Sequence, residues 1–234
     1  MTATFEESGW TLYTRLVAAG ARTLVRVPAL GHVRVSDMVD LPRSGPLIVV
    51  SNHISNLDPP LVGGWLGPAL RRRPHFLAKD ALFKGPMGWF LRSQGVIPVK
   101  AGGSDMEAYR AAKAVLDGGG VVVILPEGTR SMTGVLGVAK PGVALLATRS
   151  GVPVLPLGLS DTDRLLGRGS SMPRWGTPVQ LAVGRPFQLS LDPSLPRREA
   201  LGLASDEIMR RIASLLEPRH RGSWEPWPED APRA

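Results

Sequence analysis

The 234-residue sequence contains no cysteine. It can therefore form neither a disulfide nor a thiolate nucleophile, and it cannot build a cysteine-ligated zinc site. None of its four histidines stands beside another histidine or an acidic residue at a familiar metal spacing, so we predict no metal site. Long apolar runs are also missing. The longest stretch without a charged residue, 44–57, is shorter than the roughly 20 residues of a membrane-spanning helix.

Two further absences narrow the possible functions. Glu6 and Glu7 occupy the place of a basic leader region, so we expect no secretory signal peptide. No G-x-G-x-x-G or Walker-type loop is present, which argues against dinucleotide binding and nucleotide hydrolysis. What the chain does have is positive charge, with 28 Lys and Arg against 20 Asp and Glu. This excess favours an anionic partner, although a solvated arginine-rich surface is the alternative.

Residues 8–27 predict an N-terminal amphipathic helix within a first segment, residues 1–29. Arg15, Arg22 and Arg26 fall within about 40° of one another on a helical wheel. Four apolar side chains spread over the broad opposite face: Leu12, Leu16, Leu24 and Val27. The pattern is typical of a helix lying at a membrane interface. A surface helix that buries its leucines on its own core would show the same periodicity.

Residues 30–217 predict one layered α/β domain. Near-continuous apolar runs at 46–50, 121–125 and 152–159 indicate strands covered on both faces, and helical segments alternate with them. A helix over 104–117 has a capping box formed by Ser104 and Glu107. Residues 178–187 predict an edge strand, and residues 205–217 a closing helix. The Pro-rich tail, 218–234, is expected to be disordered or loosely attached.

Two polar clusters follow buried strands. His53 and Asp58 lie in "SNHISNLDPP", whose Ser, Asn and Pro residues favour a turn that could bring the two side chains together. A carboxylate on one imidazole nitrogen would leave the other free as a base. The second cluster is "LPEGTRS", residues 125–131, in which Arg130 offers a planar fork for a phosphate or carboxylate. Because sites in α/β sheets lie at strand ends, the two clusters are expected to line one crevice.

The order of these blocks resembles that of the glycerolipid acyltransferases, in particular the 1-acylglycerol-3-phosphate acyltransferase group. "NHISNLD" is similar to their N-H-x-x-x-x-D block and "PEGTRS" to their E-G-T-R block. "LFKGPMGWFLRSQGVIPV", "VAKPGVALLA" and "VPVLPL" resemble the other blocks, and the likeness covers roughly residues 30–222. The resemblance implies a mostly parallel mixed sheet flanked by helices. It also implies transfer of an acyl group from acyl-CoA or acyl-carrier protein to the hydroxyl of 1-acylglycerol 3-phosphate, making phosphatidic acid.

The resemblance also implies residue roles. His53 would act as general base and Asp58 would orient it. Arg130, with Lys100, Thr129 and the backbone around Gly128, would bind the acceptor phosphate. Glu127 would bind glycerol hydroxyls or orient Arg130. The family's arginine position in the second block holds Ala101 here, so either Lys100 takes over the phosphate contact or the acceptor differs.

The expected partners follow from these roles: an acyl thioester, a lysophospholipid and an anionic membrane surface, with no cofactor and no nucleic acid. The expected location is the cytoplasmic side of the cell membrane, as a peripheral or monotopic protein. Two alternatives stay open. One is an acyltransferase with another acceptor, such as glycerol 3-phosphate, another lysophospholipid or an amino-lipid. The other is a non-catalytic basic protein that binds anionic membranes.

Overall fold

A seven-stranded sheet forms the centre of the protein. The structure is a computed structural model that describes residues 10–36, 38, 41–100 and 105–228. The strands are β1 (Val33–Val35), β2 (Leu47–Ser51), β3 (Pro74–Lys79), β4 (Ile97–Val99), β5 (Val121–Ile124), β6 (Val154–Ser160) and β7 (Val179–Val183). Their order across the sheet is β1-β7-β6-β2-β5-β3-β4, and every pairing is parallel except that of β6 with β7. The predicted mostly parallel mixed sheet is confirmed.

Helices cover both faces of this sheet. They are α1 (Leu12–Arg26), α2 (Asp58–Leu70), α3 (Gly85–Ser93), α4 (Asp105–Asp117), α5 (Gly142–Ser150), α6 (Thr162–Leu165), α7 (Arg197–Ser214) and α8 (Pro218–Arg221). One core joins α2 and the end of α1 to the sheet, and another joins α4, α5 and α7 to the opposite face. Since both faces are covered, central strands such as β2 and β6 are buried at every position and consist almost wholly of apolar residues.

Three expectations need correction. Residues 179–183 do not form an edge strand, because β1 pairs with β7 on its outer side. The closing helix begins at Arg197, earlier than predicted. The C-terminal residues 218–228 are attached: α8 forms, and the Trp227 backbone N–H donates to Ser214 Oγ at 2.7 Å. Proline content did not predict these contacts, because they are made with residues outside the segment. Ser104, the predicted helix cap, and Ala101 lie outside the described residues.

Helix α1 packs on α2 and leaves its leucines exposed. Its buried residues are Thr14, Ala18 and Val25. Leu12, Leu16 and Leu24 are 70%, 63% and 54% exposed, so the alternative in which this helix buries its leucines in its own core is wrong. Part of the arginine stripe lies against α2, since the Arg26 guanidinium stands 5.5 Å from the centre of the Trp65 ring. Among the helices of the described residues, none is long and apolar enough to cross a bilayer.

Candidate active site

The two polar clusters meet where β2 and β5 end. These strands are parallel neighbours, with Val50 opposite Ile124, so both chains leave the sheet at the same edge. The Ser131 backbone N–H donates to His53 O at 2.7 Å and ties the two loops together. The two polar clusters therefore lie side by side at this edge, and a pocket beside them is lined by Glu127 and by residues of the loop that follows it. A crevice lined by both clusters stays a prediction.

His53 and Asp58 form a hydrogen-bonded pair. His53 Nδ1 lies 2.8 Å from Asp58 Oδ2, the imidazole is 17% exposed, and the carboxylate is fully buried. A carboxylate accepts the Nδ1 proton, which leaves Nε2 unprotonated and able to take a proton from a substrate. The arrangement can serve as an oriented general base.

The Asp58 carboxylate is held by three further donors. Oδ2 accepts the backbone N–H of Ile54 and of Ser55, each at 2.7 Å, and Oδ1 accepts the Thr162 hydroxyl at 2.5 Å. Asp58 is also the first residue of α2, where the helix dipole favours negative charge. These interactions satisfy the buried carboxylate and offset the cost of taking it out of water.

Asn52 fixes the strand end that carries His53. Its amide group bonds both the N–H and the C=O of Leu159 on β6, at 2.8 and 2.9 Å. This side chain therefore replaces a missing pair of sheet hydrogen bonds at the point where the chain turns. Sequence reasoning had treated Asn52 only as a turn former, and it missed Thr162, which is 104 residues from Asp58 in the chain.

Glu127 links the two clusters through backbone amides. Its Oε1 accepts the His53 N–H at 3.0 Å, and its Oε2 accepts the Gly137 N–H at 3.0 Å. Burial raises the pKa of Glu127, and the two N–H donors oppose that rise. The described ion pairs do not join Glu127 to Arg130, so a simple pairing of these residues does not account for the cluster. A role in binding acceptor hydroxyls stays a prediction.

Arg130 lines a shallow pocket of about 340 Å³ beside Glu127 and Thr129. Gly128 has φ +70° and forms the turn beneath it. A Cβ at Gly128 would lie 2.8 Å from Lys140 Cε and 3.1 Å from Lys140 Nζ, so the lysine side chain crosses directly over the glycine. Lys140 thereby brings a second cation to this loop. Lys140 belongs to the "VAKPGVALLA" block, and the resemblance of that block to the family was a sequence signal that could have identified it.

Lys100 lies apart from this pocket. It follows β4, which is three strands from β2, or roughly 14 Å at the usual strand spacing. Its Nζ stands 3.7 Å from Glu107 Oε2 on the surface, and Lys100 is not among the residues lining the pocket. The contact of Lys100 with the acceptor stays a prediction. Glu127 bonds the backbone of His53, whereas the contact recorded for Lys100 is with Glu107 on the surface.

Ser55 supports the turn. Its side chain is buried, its hydroxyl donates to Leu166 O at 2.8 Å, and it accepts the Leu57 N–H at 3.3 Å. A hydroxyl engaged in this way is poorly placed to attack a substrate, and it stabilises the turn predicted for this block.

One group of side chains has the composition of a metal site. Potential ligand atoms of Asp161, Asp163 and His220 lie within 4.8 Å of one another. However, both His220 ring nitrogens have protein partners, Gly134 O and the Asp161 N–H. Asp161 also pairs with Arg219. A metal ion would have to displace these contacts, and we assign no metal to the group.

The fold and the site together define the class: a layered α/β protein with a hydrogen-bonded His–Asp pair and cationic side chains on the neighbouring loop. Residues 32–160, more than half of the chain, match the family model described as Acyltransferase. The chain belongs to the acyltransferase family.

Similar proteins carry more specific names. A chloroplastic 1-acyl-sn-glycerol-3-phosphate acyltransferase, BAT2 of Brassica napus, is 34% identical over 58% of this chain and 39% of its own length. The 1-acyl-sn-glycerol-3-phosphate acyltransferase of Bacillus subtilis is 25% identical over 79% of this chain and 88% of its own. The crystal structure of the 1-acyl-sn-glycerophosphate (LPA) acyltransferase PlsC from Thermotoga maritima superposes with a TM-score of 0.63. It is 25% identical, with 87% of this chain and 78% of that one covered.

The chain spans only about half or less of the length of some of these relatives. The chain covers 39%, 38% and 52% of three plant and algal relatives, from Brassica napus, Arabidopsis thaliana and Chlamydomonas reinhardtii.

Proposed function

We propose that this protein transfers a fatty acyl group from a thioester to the hydroxyl of 1-acylglycerol 3-phosphate, producing phosphatidic acid. The observation that carries the proposal is the His53–Asp58 pair, 2.8 Å apart at the edge of the sheet where the cationic loop also lies. The names of the similar proteins point to the same acceptor.

The reaction requires one base and no covalent intermediate on the protein. His53 Nε2 takes the proton from the acceptor hydroxyl while the hydroxyl oxygen attacks the thioester carbonyl. Asp58 stabilises the resulting imidazolium. When the tetrahedral intermediate collapses, the carbon–sulfur bond breaks and the thiolate takes the proton from His53. The chain has no cysteine to form an acyl-enzyme, and the Ser55 hydroxyl is already engaged.

The acceptor phosphate would bind beside the 340 Å³ pocket. Arg130 supplies a planar fork suited to phosphate, and Lys140 supplies a second cation above Gly128. A phosphate monoester therefore suits this side of the site better than a zwitterionic headgroup.

The substrate assignment is tested with purified protein, one acyl-CoA and a panel of acceptors. The panel contains 1-acylglycerol 3-phosphate, glycerol 3-phosphate and a zwitterionic lysophospholipid, and both free thiol and lipid product are measured. We expect phosphatidic acid from the first acceptor at the highest kcat/KM. A higher kcat/KM for another acceptor would contradict the acceptor assignment, and thiol release without lipid product would contradict transfer. Replacing acyl-CoA by acyl-carrier protein in the same assay identifies the donor.

We also propose that the protein attaches peripherally to the cytoplasmic side of an anionic membrane through α1 and α3. The two helices are joined by a 2.7 Å hydrogen bond between Tyr13 Oη and Ser93 Oγ. Beyond the exposed leucines of α1, helix α3 exposes Trp89 by 68%. Residues 10–36 contain four arginines and no acidic residue, which complements anionic lipid. Exposed apolar and aromatic side chains flanked by cations are typical of an interfacial surface.

A further inference from the structure

The C-terminal segment, residues 218–227, lies against the loop formed by residues 131–138. This loop contains no helix or strand. The Ser131 hydroxyl donates to Val135 O and accepts the N–H groups of Thr133 and Val135, and tertiary contacts supply further hydrogen bonds. His220 is 2% exposed, and its Nδ1 donates to Gly134 O at 2.6 Å. The Leu136 N–H donates to His220 O at 2.8 Å. The C-terminal segment therefore supplies two hydrogen bonds to the backbone of this loop.

Trp224 makes the contact that leads to the active site. Its indole Nε1–H donates to Gly137 O at 2.8 Å. The N–H of the same glycine donates to Glu127 Oε2 at 3.0 Å, and Glu127 Oε1 accepts the His53 N–H at 3.0 Å. A Cβ at Gly137 would lie 2.9 Å from Glu127 Oε2, so the peptide approaches the carboxylate more closely than a side chain would permit. One residue thus separates the indole from the carboxylate that holds His53.

We propose that Trp224 is a positioning residue for acyl transfer. It fixes the Gly137 residue, whose N–H fixes the Glu127 carboxylate, which in turn fixes the backbone of His53. The inference deepens the proposed function and rests on it. It also gives the family's E-G-T-R glutamate, Glu127, a role in supporting the base through its main chain.

The segment is anchored independently at its far end. The Trp227 ring lies 4.6 Å from the Arg211 guanidinium and 5.3 Å from that of Arg210. The hydrogen bonds of the described residues include none from the Trp227 indole nitrogen. Trp227→Phe therefore keeps an aromatic ring for both arginines, and it removes an indole nitrogen from the same segment without touching the path to His53. It is a matched control for Trp224→Phe.

The first measurement compares kcat for the two variants. Trp224→Phe removes one neutral hydrogen bond and keeps the ring, so kcat should fall roughly two- to tenfold, while Trp227→Phe should stay within about twofold of wild type. Amide exchange supplies a readout that does not depend on activity. In Trp224→Phe, exchange should rise in residues 131–138 and 52–57 and stay unchanged in α5.

A double-mutant cycle with Glu127→Gln separates positioning from a general loss of structure. If Trp224 acts through Glu127, the double variant should have the kcat of Glu127→Gln alone within about twofold, because the path is already broken. Independent effects would multiply. The inference would be overturned if the kcat losses of the two single variants multiply in the double variant. Equal kcat in Trp224→Phe and Trp227→Phe would also overturn it, as would unchanged amide exchange in residues 131–138 of Trp224→Phe. A wild-type protein with no transferase activity would instead overturn the proposed function, and exchange alone would then decide whether Trp224 holds the loop.

Discussion

Replacing Asp58 by Asn tests the dyad with the smallest change in shape. The side chain is fully buried and accepts four hydrogen bonds, three of them at Oδ2. Asparagine can keep its carbonyl oxygen toward His53, Ile54 and Ser55. Its amide group then faces the Thr162 hydroxyl, which can rotate to accept. The fold should therefore survive, with a lower melting temperature.

The expected loss of activity follows from the missing charge. A hydrogen bond to a charged group contributes about 1.5–3 kcal/mol, and the contact with Asp58 strengthens as His53 becomes cationic. Losing that amount from the transition state alone lowers kcat by roughly 10- to 150-fold. The loss of kcat in Asp58→Asn should not exceed the loss caused by removing the general base itself, which is roughly 10²- to 10⁴-fold.

The assay measures thiol release with saturating acyl-CoA and 1-acylglycerol 3-phosphate, normalised to folded protein by circular dichroism. Thr162→Val is the control, because it removes the contact at Oδ1 and leaves the bond between Asp58 and His53 in place. It should lose stability and keep kcat within about tenfold of wild type. A folded Asp58→Asn protein with wild-type kcat would refute the assignment of Asp58 as the orienting carboxylate.

Three further predictions concern the acceptor, the buried glutamate and the membrane. Arg130→Lys keeps the charge and loses the planar fork, so acceptor KM should rise roughly ten- to hundredfold with donor KM unchanged; a rise in donor KM instead would place Arg130 on the other substrate. Burial raises the pKa of Glu127, so the folded state holds a proton there more tightly than the unfolded state does. The wild type should therefore lose unfolding free energy relative to Glu127→Gln as pH rises from the ordinary glutamate pKa to the raised one; urea titrations showing a pH-independent difference would contradict this. Replacing Leu16 and Leu24 together by Gln should reduce sedimentation with anionic vesicles, whereas Leu203→Gln, which changes a leucine 55% exposed on α7, should not; equal sedimentation of all three proteins would exclude α1 from the membrane contact.

The sequence predicted the sheet and the dyad because both depend on local information. The apolar runs that became β2, β5 and β6 carry their own signal, and the turn formers between His53 and Asp58 permit the contact now found at 2.8 Å. The partners of that pair were beyond sequence reasoning. Thr162 reaches Asp58 across 104 residues, and the link between Glu127 and His53 spans 74.

Two other features depended on the tertiary structure. The helical wheel of α1 separated arginines from leucines, but it could not show which residues would be buried; these are Thr14, Ala18 and Val25. The Pro-rich composition after residue 217 suggested a loose tail. The attachment of residues 218–228 instead rests on single contacts, such as that of Trp224 with Gly137, which leave no periodic pattern in the sequence.

The central claim is that His53 is the base that moves an acyl group directly to a lipid hydroxyl. The most direct measurement is a single-turnover experiment with wild type and His53→Ala, in which phosphatidic acid, free CoA and the mass of the intact protein are followed together. The account predicts that the wild type forms both products in equal amounts and never gains an acyl group. It predicts that the folded His53→Ala protein is slower by roughly 10² to 10⁴. An acylated protein on the pathway, or near-normal turnover in His53→Ala, would contradict it.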